Sequence, residues 1–270
     1  MAILLRHARC IPAYATLAIS IMSSHSRAQM YGTLPSPPYS HIRVSLLSNR
    51  PVQLQTPLER ALDDRLHQSA FVIHNDDPKE VVGIAVIWRI TDAEGKSHTT
   101  TQMMDEFLSK NRNIVINPGG SLAVSPGGWL PEDPEAHLIN SDLVAQQQNR
   151  VAERIKSAAS VSASVDSVIY SNGEVWGPNI SGLDKEITGR HAAAVHLASV
   201  IRNALANGED AQLILKQLSS TKYDPTSDYK AKWESRFAIQ LLARGPQFDA
   251  GVRYLEALPV PPLFERKSNW

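Results

Sequence analysis

Apolar and polar residues alternate in short runs between residues 41 and 178, and this period of two predicts β-strands separated by turns. The longest run is Val81–Thr91, which has apolar residues on one face at Ile84, Val86, Trp88 and Ile90. It ends at Asp92–Gly95, where glycine supplies the positive φ of a tight turn, and Ser97–Met103 returns as a second strand. We therefore predict a β-hairpin here. The other predicted strands are 42–46, 70–74, 113–116, 121–124, 165–170 and 174–176.

A second predicted hairpin surrounds Asn172-Gly173, the favoured residue pair for a two-residue type I′ turn. Such a turn would place Tyr170 opposite Val175 and Ile169 opposite Trp176. The pairing of these bulky side chains favours packing of Trp176 against its neighbours over a binding role.

After residue 178 the apolar residues recur every three or four positions, which predicts amphipathic helices. The first helix extends from Ile187 to Leu205 and ends at Asn207-Gly208. Other predicted helices cover 57–66, 141–159, 211–218, 228–244 and 247–258. One of them carries an apolar stripe, which we interpret as a candidate surface for oligomerisation or partner docking. Its residues are Tyr229, Trp233, Phe237 and Leu241.

The segments Phe71–Asn75, Val82–Trp88 and Asp92–Gly95 together resemble the immunoglobulin-like and fibronectin-type β-sandwiches of exported bacterial proteins. The resemblance is architectural and covers about 140 residues. It implies an α+β protein in which an N-terminal Ig-like antiparallel β-sandwich precedes a C-terminal helical region. It also implies a bacterial source and a binding or assembly role. The predicted units are a signal peptide (1–28), a Pro-rich linker (29–40), the β-sandwich domain (41–178), the helical region (179–258) and a tail (259–270).

The N-terminus has the three parts of a secretory signal peptide: Arg6 and Arg9, the apolar run Cys10–Met22, and the small-residue end of Ser26-Arg27-Ala28. We predict cleavage after residue 28 and an extracytoplasmic location, periplasmic or secreted. The apolar run contains Pro12 and is shorter than the roughly 20 residues that a transmembrane helix needs, so no stable membrane span is expected after cleavage. The alternative is a retained, membrane-associated or disordered N-terminus, which Pro12 favours.

Removing the signal peptide changes both charge and cysteine content. The full chain has 27 basic and 27 acidic side chains, and residues 1–28 contain three arginines but no acid, so the mature chain is faintly acidic. Without a clustered basic surface we expect no nucleic-acid partner. The only cysteine, Cys10, leaves with the signal peptide, so the mature chain must fold on its apolar core without disulfides.

The sequence contains no recognised arrangement of metal ligands or catalytic residues, and we predict neither a metal nor another cofactor. His191 and His196 are five residues apart, which separates them by about 140° around a helix, so we expect surface or half-buried side chains. Gly119–Ala123 only approximates the nucleophile turn of a serine hydrolase, and a strand follows Ser121 where that turn needs a helix.

Adjacent acids at Asp63-Asp64, Asp76-Asp77 and Glu132-Asp133, with Glu135 nearby, leave a hydrolase open as the alternative function. An extracytoplasmic polymer hydrolase would need two carboxyl groups within about 5 to 9.5 Å across a cleft. Acids in turns more often form the turn itself.

The segment Pro126–Glu135 contains the feature that folding explains least, a tryptophan between glycines, prolines and acids. Loops carry binding sites in sandwich proteins, and an exposed tryptophan can stack on a sugar or anchor a protein. The candidate binding residues are therefore Trp129, Leu130, Glu132 and Asp133. The alternative is that Trp129 folds back to cap the core. We predict an exported, noncatalytic protein that binds a protein or glycan partner.

Overall fold

The computed structural model of the protein describes residues 41–108, 115–130, 141–224, 226–245 and 248–267. The predicted signal peptide, the linker 29–40, and Glu132 and Asp133 lie outside the described residues, so what was predicted of them stays a prediction. The predicted strand 113–116 lies partly outside, and Ile116 forms a single antiparallel bridge with Val81.

In the described chain most strands come before most helices, although three helices lie between strands and a short strand comes last. The strands are β1 (Ile42–Leu46), β2 (Phe71–Asn75), β3 (Val81–Asp92), β4 (Ser97–Asp105), β5 (Ser121–Ser125), β6 (Gly128–Leu130), β7 (Ala158–Tyr170), β8 (Glu174–Trp176) and β9 (Glu265–Arg266). The helices are α1 (Pro57–Arg60), α2 (Asp64–Ser69), α3 (Ser141–Lys156), α4 (Leu183–Ala206), α5 (Ala211–Ser219), α6 (Tyr229–Ala243) and α7 (Phe248–Glu256).

The strands form two sheets. Sheet 1 has the order β1-β2-β5-β6, with antiparallel neighbours throughout. Sheet 2 has the order β4-β3-β7-β8-β9 and is antiparallel except at β9, which runs parallel to β8. The prediction of a mixed α+β chain is confirmed at this level.

The predicted β3–β4 hairpin is confirmed. Gly95 has a φ of +82°, and the backbone N–H of Asp92 donates to the carbonyl of Lys96 at 3.0 Å. The Asp92 carboxylate also accepts the N–H of Lys96 at 2.7 Å, which fixes the turn from inside.

The β7–β8 hairpin is present, but its predicted register is wrong by one residue. Val175 lies opposite Ile169, where a two-residue turn would place it opposite Tyr170. The loop has three residues because the N–H of Gly173 donates to the carbonyl of Tyr170 at 2.9 Å, with Gly173 at a φ of +88°. Glycine thus takes the left-handed position that follows a turn, as in three-residue hairpin loops.

One core contains side chains from both sheets. Phe71 of sheet 1 lies against Trp88 of sheet 2, with ring centroids 5.4 Å apart, and both are fully buried. The predicted apolar face of β3 packs in or against this main core. Its other buried residues include Ile73, Ile84, Val86, Leu122, Val124, Leu130, Val161 and Val168.

The opposite face of sheet 2 carries the first turns of α4. Leu183 and Ile187 pack against Val82, Ala85 and neighbouring residues of the sheet. The remainder of α4 packs with α5, α6 and α7 in a separate helical core. Sheet 2 therefore lies between the main core and the helices.

The predicted helices form, with two differences. The predicted helix 57–66 is two short helices, because Asp63 caps a new start and accepts the N–H of Arg65 at 3.0 Å. The apolar stripe on α6 is not an exposed surface, since Phe237 and Leu241 are buried in the helical core. These two residues of the stripe are therefore not available to dock a partner, and docking through the half-buried Tyr229 and Trp233 stays a prediction. No helix in the described ranges has both the length and the apolar character needed to cross a bilayer.

Candidate functional site

Trp129 and Leu130, predicted to bind a partner, lie in strand β6 instead of a loop. Leu130 is buried in the main core, and half-buried Trp129 packs against that core. This placement agrees with the alternative that Trp129 folds back to cap the core. The structure does not bring Trp129 into a cleft, and binding at this position stays a prediction.

Three of the four described carboxylates of the predicted acidic pairs form turns or bind a surface arginine. Asp63 caps α2, and Asp77 accepts the N–H of Lys79 at 2.9 Å. Asp76 forms an ion pair with Arg43, whose hydrogen bond lowers the pKa of that carboxyl group. Their side chains therefore serve the local fold as turn-forming acids commonly do.

A surface groove of about 740 Å³ lies between α4, the start of α6 and the segment Val260–Phe264. We call it the α4–α6 groove. Asp184, Lys185 and Thr188 line it from α4, and the segment Val260–Phe264 forms the facing wall.

Buried polar side chains fix where α4 begins. Asn179, only 4% exposed, accepts the N–H of Leu183 and donates to the Asp184 carboxylate at 2.7 Å. Asp166, within β7, accepts the N–H groups of Ile180 and Ser181, each at 2.9 Å. These bonds satisfy backbone donors at the helix start and tie α4 to sheet 2.

Tyr229 determines how closely α6 approaches α4. A Cβ atom on Gly189 would lie 2.5 Å from the Cβ of Tyr229, and one on Gly182 would lie 2.5 Å from its hydroxyl oxygen. Only glycine leaves room for the tyrosine at these two positions. Burial, followed by the charges of Glu186 and Asp184, raises the pKa of Tyr229.

The C-terminal segment, predicted to be a polar tail, adds a strand to sheet 2. Glu265 donates its N–H to the carbonyl of Gly173 at 2.9 Å, and Lys267 donates to the carbonyl of Val175 at 3.0 Å. A Cβ atom on Gly173 would lie 2.3 Å from the carbonyl oxygen of Leu263. The hairpin glycine thus permits the close approach that holds the groove wall in place.

The rim of the groove exposes apolar side chains. Leu263 is 96% exposed and Val260 is 69% exposed, while Phe264 from the same segment packs toward α4. Charged side chains of both signs, including Lys185 and Asp228, also line the groove. A partner that binds at this rim can bury the side chain of Leu263 and form ion pairs with the charged residues of the groove.

Behind the groove, buried charges join the helices to sheet 2. Arg190 of α4 pairs with Asp105 at the end of β4, and its guanidinium lies 5.2 Å from the centroid of the Trp233 ring. Glu186, one turn earlier, accepts from Lys232 at 2.7 Å and from the indole N–H of Trp233 at 2.9 Å. This network holds α4, α6 and β4 together and so fixes one wall of the groove.

His191 is the histidine of α4 that lines the groove, together with the acid Asp184 and the base Lys185. It is half-buried, and burial lowers its pKa below the ordinary value of 6.5. Its Nδ1 has no hydrogen-bond partner among the described residues. His196, in contrast, is exposed and lies 2.6 Å from Glu234. The expectation of surface or half-buried histidines is confirmed.

Ser45 and His74 form a contact that was not predicted from the sequence, with Oγ and Nε2 3.0 Å apart on adjacent strands. Burial is the main cause of the lowered pKa of His74, followed by the charge of Arg43. The described residues contain no group of three or more His, Cys, Asp or Glu side chains that could hold a metal ion.

Comparisons with protein-family models, with curated proteins and with solved structures find no match for this chain.

Proposed function

We propose that this chain is an exported, noncatalytic binding protein of the periplasm or the extracellular space, and that its α4–α6 groove contacts a protein partner. The signal-like N-terminus supports export. The core shared by the two sheets supports an Ig-like sandwich, a scaffold that commonly presents binding surfaces.

The observation that carries the proposal is the exposure of Leu263 and Val260 on the rim of the groove. Both side chains belong to a segment that β9 anchors by backbone hydrogen bonds to sheet 2. A held segment loses little conformational entropy when a partner covers it, so burial of its apolar side chains contributes to binding.

The lining of the groove favours a protein over a glycan. Sugars stack on the exposed faces of aromatic rings, but the hydroxyl end of the Tyr229 ring packs against Gly182, and the Nζ of Lys232 lies 5.5 Å from the ring centroid. The rim offers aliphatic side chains, which a peptide segment with apolar residues can cover. Trp129, in the other sheet, remains a proposed second contact for a protein or glycan.

The test is crosslinking and co-purification from the envelope of the source organism, with the mature chain 29–270 as bait. Three variants accompany it: Leu263→Asp at the groove, Trp129→Ala in β6, and Leu213→Asp as the matched control. Leu213 lies on α5 and is 66% exposed, so its replacement changes the charge and an exposed leucine without touching the groove.

We expect the unchanged chain to capture a defined protein. The Leu263→Asp variant should capture this protein about 10- to 30-fold more weakly than the unchanged chain, because burial of a leucine contributes about 1.5 to 2 kcal/mol to binding. Leu213→Asp should capture it as the unchanged chain does. Equal capture by both variants would exclude the groove as the contact site. Loss with Trp129→Ala alone would place the site on β6 instead.

A further inference from the structure

A second cavity lies at the opposite end of the β region from β9, where the β3–β4 hairpin meets the last turn of α3. Its volume is about 340 Å³. It is lined by Ile90, Asp92, Lys96, His98, Arg154 and Ala158.

The strand register explains why these residues meet. Ile90 lies opposite His98 in the β3–β4 ladder, and Asp92 lies opposite Ala158 in the β3–β7 ladder. Arg154 lies in the last turn of α3, just before β7 begins. The β3–β4 hairpin and α3 thus bring basic side chains to one apolar floor.

The lining of this cavity has a net positive charge, because it contains the permanent cations Lys96 and Arg154 and a single acid, Asp92. Lys96, His98 and Arg154 have no side-chain hydrogen bond or ion pair to any residue in the described ranges. Asp92 is the one acid in the lining, and its carboxylate already accepts the N–H of Lys96 at 2.7 Å. The two permanent cations outnumber the one carboxylate in the lining, so the cavity attracts an anion.

We infer that this cavity binds a small amphiphilic anion, with a carboxylate or phosphate head between Lys96 and Arg154 and an apolar body over Ile90 and Ala158. The volume falls in the range of small-molecule sites, which combine an apolar lining with a few polar groups that orient the ligand. Arginine and lysine are the usual protein partners of both head groups. The inference does not depend on the α4–α6 groove.

The test is isothermal titration of the mature chain 29–270 with octanoate, octyl phosphate and uncharged octanol. The variants are Arg154→Gln and Lys96→Gln, with Lys156→Gln as the matched control. Lys156 lies on the same helix, but it pairs with Glu153 and does not line the cavity. Thermal unfolding of each variant checks that it is folded.

Saturable binding of octanoate or octyl phosphate, but not of octanol, is the expected result, and the tighter anion identifies the head group. Arg154→Gln and Lys96→Gln should each weaken binding about fivefold, as expected for the loss of one partly exposed charge contact. Lys156→Gln should stay within about twofold. The inference is overturned if no anion binds, if octanol binds as well as the anions, or if all three variants bind alike.

Discussion

Removing the charge of Arg190 should destabilise the whole fold, because this side chain joins α4 to sheet 2. Arg190 and Asp105 are 4% and 3% exposed, and Asp105 also accepts the N–H of Phe107 at 3.0 Å. In Arg190→Met, the Asp105 carboxylate remains buried without its counter-ion. The variant also loses the contact of the guanidinium with the Trp233 ring.

The expected loss is about 3 to 5 kcal/mol, the usual cost of removing one partner from a buried ion pair. This is a large fraction of the roughly 5 to 15 kcal/mol by which native proteins are stable. The double variant Arg190→Met with Asp105→Asn should recover part of the loss, because no unpaired charge is then buried. The recovered part measures the penalty of the isolated carboxylate.

Urea unfolding of the chain 29–270, followed by circular dichroism, measures these free energies. Arg202→Met is the matched control, since Arg202 pairs with Glu256 on the surface and its loss should cost at most about 1 kcal/mol. The reasoning is refuted if Arg190→Met costs no more than Arg202→Met. It is also refuted if the double variant is no more stable than Arg190→Met alone.

Three further predictions concern the walls of the groove. Gly189→Ala places a methyl carbon 2.5 Å from the Cβ of the facing α6 tyrosine. The variant should therefore lose about 1 to 3 kcal/mol of unfolding free energy, measured in urea. The control Ser199→Ala, on the exposed face of α4, should leave the unfolding free energy nearly unchanged. Gly173→Ala should release the C-terminal segment from sheet 2, because the new Cβ would lie 2.3 Å from the Leu263 carbonyl oxygen. Faster hydrogen exchange of the β9 amides would show this release, and unchanged exchange would contradict the prediction. His191 has a folded-state pKa below 6.5, so the unfolded chain binds the proton more tightly and stability falls as the pH drops below about 6.5. His191→Gln should reduce that fall between about pH 7.5 and about pH 5.5 in paired urea titrations, and an equal fall in both proteins would count against burial as the cause.

Local signals predicted the elements well because those signals act over neighbouring residues. The apolar alternation of Val81–Thr91 and the turn at Asp92–Gly95 determine the β3–β4 hairpin without distant contacts. The Asn172-Gly173 register was missed by one residue, since the same glycine can follow a two-residue turn or end a three-residue loop. Sequence alone does not distinguish these two loops.

The groove could not be predicted because residues far apart in the chain build it. Tyr229 was assigned to an apolar stripe on α6, but its position depends on two glycines about 40 residues earlier. Leu263 lies in a segment that the sequence predicts as a polar tail. The segment is anchored to sheet 2 at the hairpin that contains Gly173. Trp129 was predicted to bind a partner because it is a large aromatic residue among turn residues. A short strand that packs against the core produces the same sequence pattern.

The measurement that tests the proposed groove most directly is site-specific photocrosslinking in the source organism. A photoreactive amino acid replaces Leu263 in one full-length chain and the control residue Leu213 in another. The account predicts a single crosslinked protein from position 263, with the attachment point on an apolar segment of that partner, and no such product from position 213. The same product from both positions, or none from position 263, would contradict a binding role for the α4–α6 groove.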